Sequence, residues 1–179
     1  VKYFSNMGNL SFLGFFKISK YSKIKFLFTF EGIWINLMNI ALVSPASLPA
    51  TQFGGIMFLP LDIARELSKK GENVTIYTTD LDFANNPHTF NKNLPKEEKI
   101  ENFIIKRSHV ILKFALYFIN PGIKKQMIND DIEIIHTFGI RSYQSYIAAL
   151  VSKKKNIPLV ISDQSGLTTH PDLKQKGIL

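Results

Sequence analysis

From Met38 onward, short apolar runs alternate with segments of helical periodicity, and this alternation restricts the fold more than any other feature. The runs MNIALVSP, NVTIYTTD, IEIIHTF and IPLVISD are rich in Val, Ile and Leu and end at polar or turn residues. Such runs are typical of strands buried on both faces of a parallel sheet. We therefore predict an α/β fold, a Rossmann-like open, mostly parallel sheet with helices on both faces.

The periodicity also gives approximate element bounds. We expect residues 38–43, 73–78, 132–137 and 158–162 to be parallel neighbours in one sheet, with helices at about 56–70 and 141–155. Between these elements, ENFIIKRS is a candidate third strand, HVILKFALYF predicts a helix over 109–118, and IKKQMIND predicts a short helix. The Asn- and Pro-rich stretch DFANNPHTFNKNLPKEE predicts a long loop.

Residues 1–37 differ in character from residues 38–179, which we take as the domain proper. The first segment is rich in Phe, Lys, Ser and Ile and holds five lysines and one glutamate of a chain whose net charge is +8. It fits a basic segment lying on a membrane surface, an arm packed on the domain, or residues upstream of a natural start at Met38. We favour the third interpretation, because a domain-opening strand begins at Met38.

Composition removes several classes of function. The chain has no cysteine, so thiolate catalysis and cysteine-ligated zinc are excluded, and we expect a cytoplasmic location with a peripheral membrane contact as an option. Lysines and one glutamate break the apolar runs of residues 1–37, and prolines with polar residues break the uncharged stretch 32–61, so neither reaches the ~20 apolar residues of a membrane span. No nucleic-acid motif and no metal-ligand spacing occurs, so we expect neither nucleic acid nor a metal as a partner.

Three polar segments follow predicted strands, where ligands bind in open α/β sheets. Gly54 and Gly55 precede the first helix, where free backbone N–H groups favour an anion. His136 and Gly139 end the fourth strand. The last segment follows the final strand and contains Asp163, Gln164, Gly166 and His170. A carboxylate, an amide, hydroxyls and an imidazole gathered there can hold a polyol and take its proton.

Each segment also has a structural interpretation. The glycines can simply start a helix, a histidine at a strand end is more often a satisfied structural residue, and the third segment can be a polar loop capping a helix. The loop before Gly54 is too long for a dinucleotide fingerprint, and G-x-G-x-x-G is absent. This absence disfavours a nucleotide-cofactor oxidoreductase.

In order and spacing, MNIALVSP, FGGIMFLPLDIARELSKKGENVTIYTT, DIEIIHTFG and IPLVISDQSGLTTHPDL resemble the N-terminal, acceptor-side half of GT-B-fold glycosyltransferases of family 4. The resemblance covers nearly all of residues 38–179, with little support in 81–128. It implies a two-domain enzyme that moves a sugar from a nucleoside-diphosphate sugar to an acceptor with retention of configuration. No metal or other cofactor is needed for the chemistry.

The resemblance also implies residue roles. Gly54 and Gly55 match the loop facing the donor diphosphate, and His136 matches the histidine of the fourth strand. Asp163 and Gln164 match a catalytic pair often written Glu-His or Phe-His. Because a glutamine cannot exchange a proton near neutral pH, Asp163 or His170 is the candidate substitute. Gly139, Gly166 and His170 join His136 as expected acceptor-binding residues.

The donor domain of the family, with its pair of glutamates, has no counterpart in this sequence. The resemblance therefore implies that the chain alone is inactive, either as a fragment of a longer enzyme or as one chain of a split enzyme whose donor domain a separate chain supplies. Its expected partners are a sugar acceptor and that donor domain. The alternative is a non-enzymatic module that kept the fold and binds an anionic membrane or another partner.

Overall fold

A computed structural model of the chain describes residues 16–19, 22–24, 27–28, 34–35, 37–82, 89–114 and 117–163. The chain divides into two compact units, Val1–Leu37 and Met38–Leu179. In the first unit, Phe16–Ser19 pairs antiparallel with Ser22–Ile24, and Leu27–Phe28 pairs antiparallel with Trp34–Ile35.

Among its described residues, the second unit contains six strands of one central sheet and three α-helices. In chain order these are β1 (Asn39–Val43), α1 (Gly55–Lys69), β2 (Asn73–Thr79), β3 (Glu97–Ile100), β4 (Phe103–Ser108), α2 (Gly122–Asn129), β5 (Ile134–Phe138), α3 (Tyr143–Lys155) and β6 (Leu159–Ser162). A short 3₁₀ turn, Thr51–Phe53, precedes α1. Within the described part of the chain, no helix has both the length and the apolar character needed to cross a membrane.

The sheet has the strand order β6-β5-β1-β2-β4-β3. Every neighbouring pair is parallel except β4 and β3, which pair antiparallel at one edge. The predicted α/β class and the four predicted parallel strands are thus confirmed, and the two long helices lie within two residues of their expected bounds.

Alternation along the strands sends successive side chains to opposite faces of the sheet. In β1, Leu42 packs under α1, whereas Ala41 and Val43 pack under α2 and α3. The same division holds in β2, where Ile76 faces α1 and Tyr77 faces the other helices. Two apolar layers therefore cover the two faces of one sheet, which explains why apolar residues occur at both alternating positions of these strands.

The helix predicted over 109–118 is wrong. Leu112–Phe114 pairs antiparallel with Tyr117–Ile119, so this stretch is a β-hairpin. Apolar residues at nearly every position do not distinguish helical from strand periodicity, and here the tertiary contacts decide. Phe118 is buried in the layer under α1, while Leu112 and Phe114 remain exposed.

The loop predicted over 82–98 is only partly irregular. Leu81–Asp82 pairs antiparallel with Thr89–Phe90, and the stretch ends inside the edge strand β3. Residues 83–88 lie outside the described residues. The third strand expected within ENFIIKRS is β4, and the short helix expected within IKKQMIND is α2.

Candidate functional site

The strand order creates a topological switch point between β1 and β5. From β1 the chain passes through α1 to β2 on one side, and it later returns from β4 to β5 on the other side. The connections that leave these two neighbouring strands therefore diverge to opposite faces of the sheet, which opens a crevice at their carboxyl ends. The predicted ligand residues Gly54, Gly55 and Gly139 all follow these two strands.

Gly54 and Gly55 form the turn into α1. Gly54 has φ 69° and ψ −148°, a backbone conformation that essentially only glycine adopts. A Cβ added at either residue would meet nothing within 4 Å, so the space beside this turn is open. Gly54 occupies the N-cap of the helix and brings no side-chain acceptor. The N–H of Met57 donates to the Gly54 carbonyl at 3.0 Å, which leaves the N–H groups of Gly55 and Ile56, the first two of α1, for a ligand.

Gly139 brings the end of β5 against the same turn. It has φ 83°, and a Cβ added there would lie 3.0 Å from Cδ1 of Ile56 in the first turn of α1. Its N–H donates to the carbonyl of Ser162 at 2.9 Å, and its own carbonyl accepts from the Ser145 hydroxyl at 2.7 Å. The positive φ disfavours any other residue here, and a Cβ would also push the end of the Ile56 side chain aside by a few tenths of an ångström.

His136 lies three residues before Gly139, in β5, on the face of the sheet that α1 covers. Its Nε2 is 2.7 Å from the hydroxyl of Ser162, and its ring lies 4.2 Å from the ring of Phe138. Desolvation by these neighbours lowers the pKa of His136, so the ring is neutral near pH 7. Nε2 of His136 is thus hydrogen-bonded to a side chain of the neighbouring strand β6.

The remaining predicted residues follow β6. Asp163 is exposed at the end of that strand, beside Gly139 through the contact with Ser162. Gln164, Gly166 and His170 lie outside the described residues, as does His88. The structure therefore brings Gly54, Gly55, Gly139 and the end of β6 to one edge of the sheet.

An acid–imidazole pair at the same edge was not expected from the sequence. Nδ1 of His109 lies 2.5 Å from Oδ2 of Asp80, and the other carboxylate oxygen accepts the backbone N–H of Val110 at 3.1 Å. The register of the parallel strands β2 and β4 pairs Thr79 with Ser108, so the next residue of each strand, Asp80 and His109, comes out side by side.

This pair has the form of an oriented base. The carboxylate of Asp80 is almost fully buried, whereas the His109 side chain is 36% exposed. A carboxylate bound to Nδ1 fixes the orientation of the ring and leaves Nε2 for a proton from a hydroxyl. In the sequence, an acid and a histidine each directly follow a predicted strand. This pattern indicates a pair only when the two strands are known to be neighbours in the sheet.

Two surface cavities lie away from the switch point. One of about 410 Å³ is lined by Asp82, Thr89, Phe90, Asn91, Lys92 and Asn93. The other, of about 280 Å³, contains the hydroxyl of Tyr77, 2.5 Å from Asp130, and the ammonium of Lys106, 2.7 Å from the same carboxylate. Burial and Asp130 raise the pKa of Tyr77, which makes this group a fixed hydrogen-bond donor.

Among the residues that the structure describes, no three His, Asp or Glu side chains are grouped so that they could hold a metal ion. In comparisons with known proteins, no family model and no curated protein matches this chain.

Proposed function

We propose that residues 38–179 are the acceptor-binding half of a retaining glycosyltransferase, which moves a sugar from a nucleoside-diphosphate sugar to an acceptor. The observation that carries this proposal is the meeting of the Gly54–Gly55 turn with Gly139 at the switch point of the sheet. Ligands of open α/β sheets bind at this position. The sugar chemistry itself comes from the sequence resemblance, because a fold alone does not specify a reaction.

A diphosphate fits the turn for electrostatic reasons. The N-terminus of α1 carries a partial positive charge and unsatisfied N–H groups, both of which favour an anion. Gly55 has a helical position with open space beside it, so no packing inside the protein requires a glycine there. A phosphate that approaches the backbone closely does require one.

The acceptor side of the proposal uses polar groups at the same edge. An acceptor hydroxyl must be held and must lose its proton as the new glycosidic bond forms. The Asp80–His109 pair offers an oriented imidazole for this proton. By the resemblance, Asp163 and Gln164 remain the proposed catalytic pair, with His136, Gly139, Gly166 and His170 around the acceptor.

In this proposal a second domain supplies the nucleotide contacts and the glutamate pair. Contacts with a few backbone N–H groups in an open crevice compete with water, so little affinity for the donor is expected from this half alone. We therefore expect the purified chain to transfer no sugar, and we expect a complementary donor domain added in trans to restore transfer.

The test combines binding and turnover. Amide NMR spectra are recorded while a nucleoside-diphosphate sugar is added to the isotope-labelled chain, and transfer is assayed with and without the donor domain. We expect weak shifts confined to Gly54–Met57 and Gly139, and turnover only with both parts present. Gly55→Val should remove the shifts and reduce transfer, since its side chain fills the space that the phosphate needs.

Lys70→Val, at the other end of α1, is the matched control and should leave both measurements unchanged. Turnover by the 179-residue chain alone would overturn the proposal. So would tight binding of a nicotinamide dinucleotide at the same amides, because that result would identify an oxidoreductase.

A further inference from the structure

The loop between β1 and α1 leads to the Gly54–Gly55 turn, and mostly small side chains anchor it. Ala46 and Ala50 are fully buried in the layer under α1, and Leu48 packs against that layer while remaining partly exposed. A methyl group removes little apolar area from water, so these contacts fix the position of the loop only weakly. The path of the loop therefore depends largely on its polar contacts.

Arg107 of β4 makes a charge-assisted contact with the middle of this loop. Its side chain lies on the face of the sheet that α1 covers, as does that of Ile105 two residues earlier. Nε and Nη2 of the guanidinium both donate to the carbonyl of Leu48, at 3.2 and 2.9 Å. Within the described ranges, no other side chain is hydrogen-bonded to the backbone of residues 47–54. Hydrogen bonds from a charged donor are about twice as strong as neutral ones.

The guanidinium is held in place by other segments of the domain. Nη1 donates to the carbonyl of Pro95 at 3.1 Å, and Nη2 lies 2.7 Å from a carboxylate oxygen of Glu98 in β3. The backbone of Arg107 is also fixed, because its N–H donates to the carbonyl of Lys96 at 2.8 Å and its carbonyl accepts from the side chain of Gln126 at 2.9 Å. Arg107 therefore joins the loop before α1 to the edge strand β3 and to α2.

The energetics of this contact favour a role in geometry. The Arg107 side chain is only 3% exposed, and removing a charge from water costs free energy that an ion pair often does not recover. Replacing such a pair by apolar side chains of similar volume is often neutral for stability. An apolar side chain cannot fix the direction of the Leu48 carbonyl, whereas the planar fork of a guanidinium can.

We infer that Arg107 is a positioning residue for the proposed diphosphate site, because its hold on the Leu48 carbonyl sets where the loop presents the Gly54–Gly55 turn. Two tight turns connect these points, since the N–H of Ala50 donates to the carbonyl of Ser47 at 2.9 Å and the 3₁₀ turn Thr51–Phe53 follows. The identity of the ligand rests on the proposed function, whereas the role of Arg107 in the loop does not.

Amide hydrogen exchange of the full chain tests this role without a ligand. Arg107→Lys keeps a positive charge beside Glu98 but loses the fork, and Arg107→Met removes both. In each variant the hydrogen-bonded amides of Ala50, Thr51 and Met57 should exchange about tenfold faster or more, because charge-assisted hydrogen bonds to the loop are lost. The amides of β1 and α3 should change much less. A residue that only stabilised the fold would accelerate all the slowest amides by one common factor.

Arg65 in α1 provides the matched control. Its guanidinium pairs with Asp62 and Glu101, both at 3.0 Å, and makes no printed contact with the loop in the part of the chain that the structure describes. Arg65→Lys and Arg65→Met should leave the exchange of the loop amides unchanged. Uniform acceleration throughout the domain in the Arg107 variants, or equal acceleration of the loop in the Arg65 variants, would overturn the inference.

Inorganic pyrophosphate is the probe for the effect on ligand binding. Its dissociation constant is measured from amide NMR shifts at Gly55 and Ile56. Arg107→Lys should raise this constant about tenfold, because the turn is no longer held in its binding position, and Arg65→Lys should leave it unchanged. Lysine keeps the charge, so a loss cannot come from weaker long-range attraction. Unchanged binding in Arg107→Lys would contradict the positioning role. If the parent shows no shifts, the diphosphate of the proposed function is wrong, and hydrogen exchange alone decides the role of Arg107.

Discussion

Gly54 and Gly55 are adjacent, yet the structure gives them different reasons to be glycine. Gly54 needs its backbone freedom, because φ 69° with ψ −148° is strained for any residue with a Cβ. Gly55 begins the helix with ordinary geometry and has open space where a side chain would lie. The first residue therefore serves the fold, and the second is free to serve a ligand.

We predict that Gly54→Ala lowers the free energy of unfolding by about 1–3 kcal/mol, the usual cost of such backbone strain. Gly55→Ala should leave it unchanged within about 0.5 kcal/mol, since alanine meets nothing there. Urea denaturation of the two variants and the parent measures both values. Equal losses at the two positions would show that Gly55 is also structural.

His136 predicts a pH dependence of stability whose sign follows from its burial. Desolvation lowers its pKa in the folded protein, whereas the unfolded chain titrates at about 6.5. As pH falls below about 6.5, the unfolded chain therefore binds a proton that the folded protein does not, and this favours unfolding. The contribution of the neutral His136 ring to the free energy of unfolding is fully present above about pH 6.5 and declines below it.

His136→Gln removes this titration and keeps a hydrogen-bonding side chain beside Ser162. We expect the stability of the parent relative to the variant to decrease as pH is lowered from 7.5 to 5. Thermal melts of both proteins across this range measure the difference, and the other titrating groups are common to both. A difference that does not change with pH would mean that the ring has the same pKa in the folded and the unfolded protein, and a difference that grows at low pH would mean that folding raises this pKa.

At the scale of elements, α1 contains a proline, and a side chain at the end of β1 replaces the hydrogen bond that this proline removes. Pro60 has no N–H, so the carbonyl of Ile56 four residues earlier loses its usual helical donor. The hydroxyl of the buried Ser44, just after β1, lies 2.9 Å from this carbonyl and also 2.9 Å from that of Ala46. This contact ties the first turn of α1 to the end of β1, where the candidate crevice lies.

A double-mutant cycle tests this contact. Ser44→Ala should destabilise the parent by about 1–3 kcal/mol, since it leaves a carbonyl of the helix without a donor. In a Pro60→Ala background the loss should be smaller, because the new N–H can donate to Ile56. Chemical denaturation of the four proteins gives the coupling energy, expected at about 0.5 kcal/mol or more. Additive effects would show that Ser44 acts through Ala46 alone.

The β-hairpin between β4 and α2 cannot be predicted from its own sequence. Its end is fixed by the fully buried Asn120, whose amide donates to the Ser108 hydroxyl at 2.8 Å and accepts from Gln144 at 2.7 Å. Gln144 also donates to the Phe118 carbonyl. These partners are distant in sequence, so only the packed protein selects a hairpin over the helix that the local pattern predicts.

At the scale of the whole molecule, the unit Met38–Leu179 contains both apolar layers described above. We predict that residues 38–179 alone melt within a few degrees of the full chain, because Met38–Leu179 is a compact unit by itself and contains both layers. Calorimetry of both proteins tests this expectation. A drop in melting temperature of roughly 10 °C or more would mean that the first unit contributes several kcal/mol to the second.

Local sequence patterns were sufficient to predict the α/β class, four adjacent parallel strands and the two long helices, because apolar runs and 3.6-residue periodicity are local consequences of burial. It also indicated that Gly54, Gly55 and Gly139 belong at strand ends. Which strand ends are neighbours depends on how the whole domain packs. The crevice between β1 and β5, the Asp80–His109 pair and the hairpin all depend on strand order and register, which follow from long-range packing and leave no signal within a single segment.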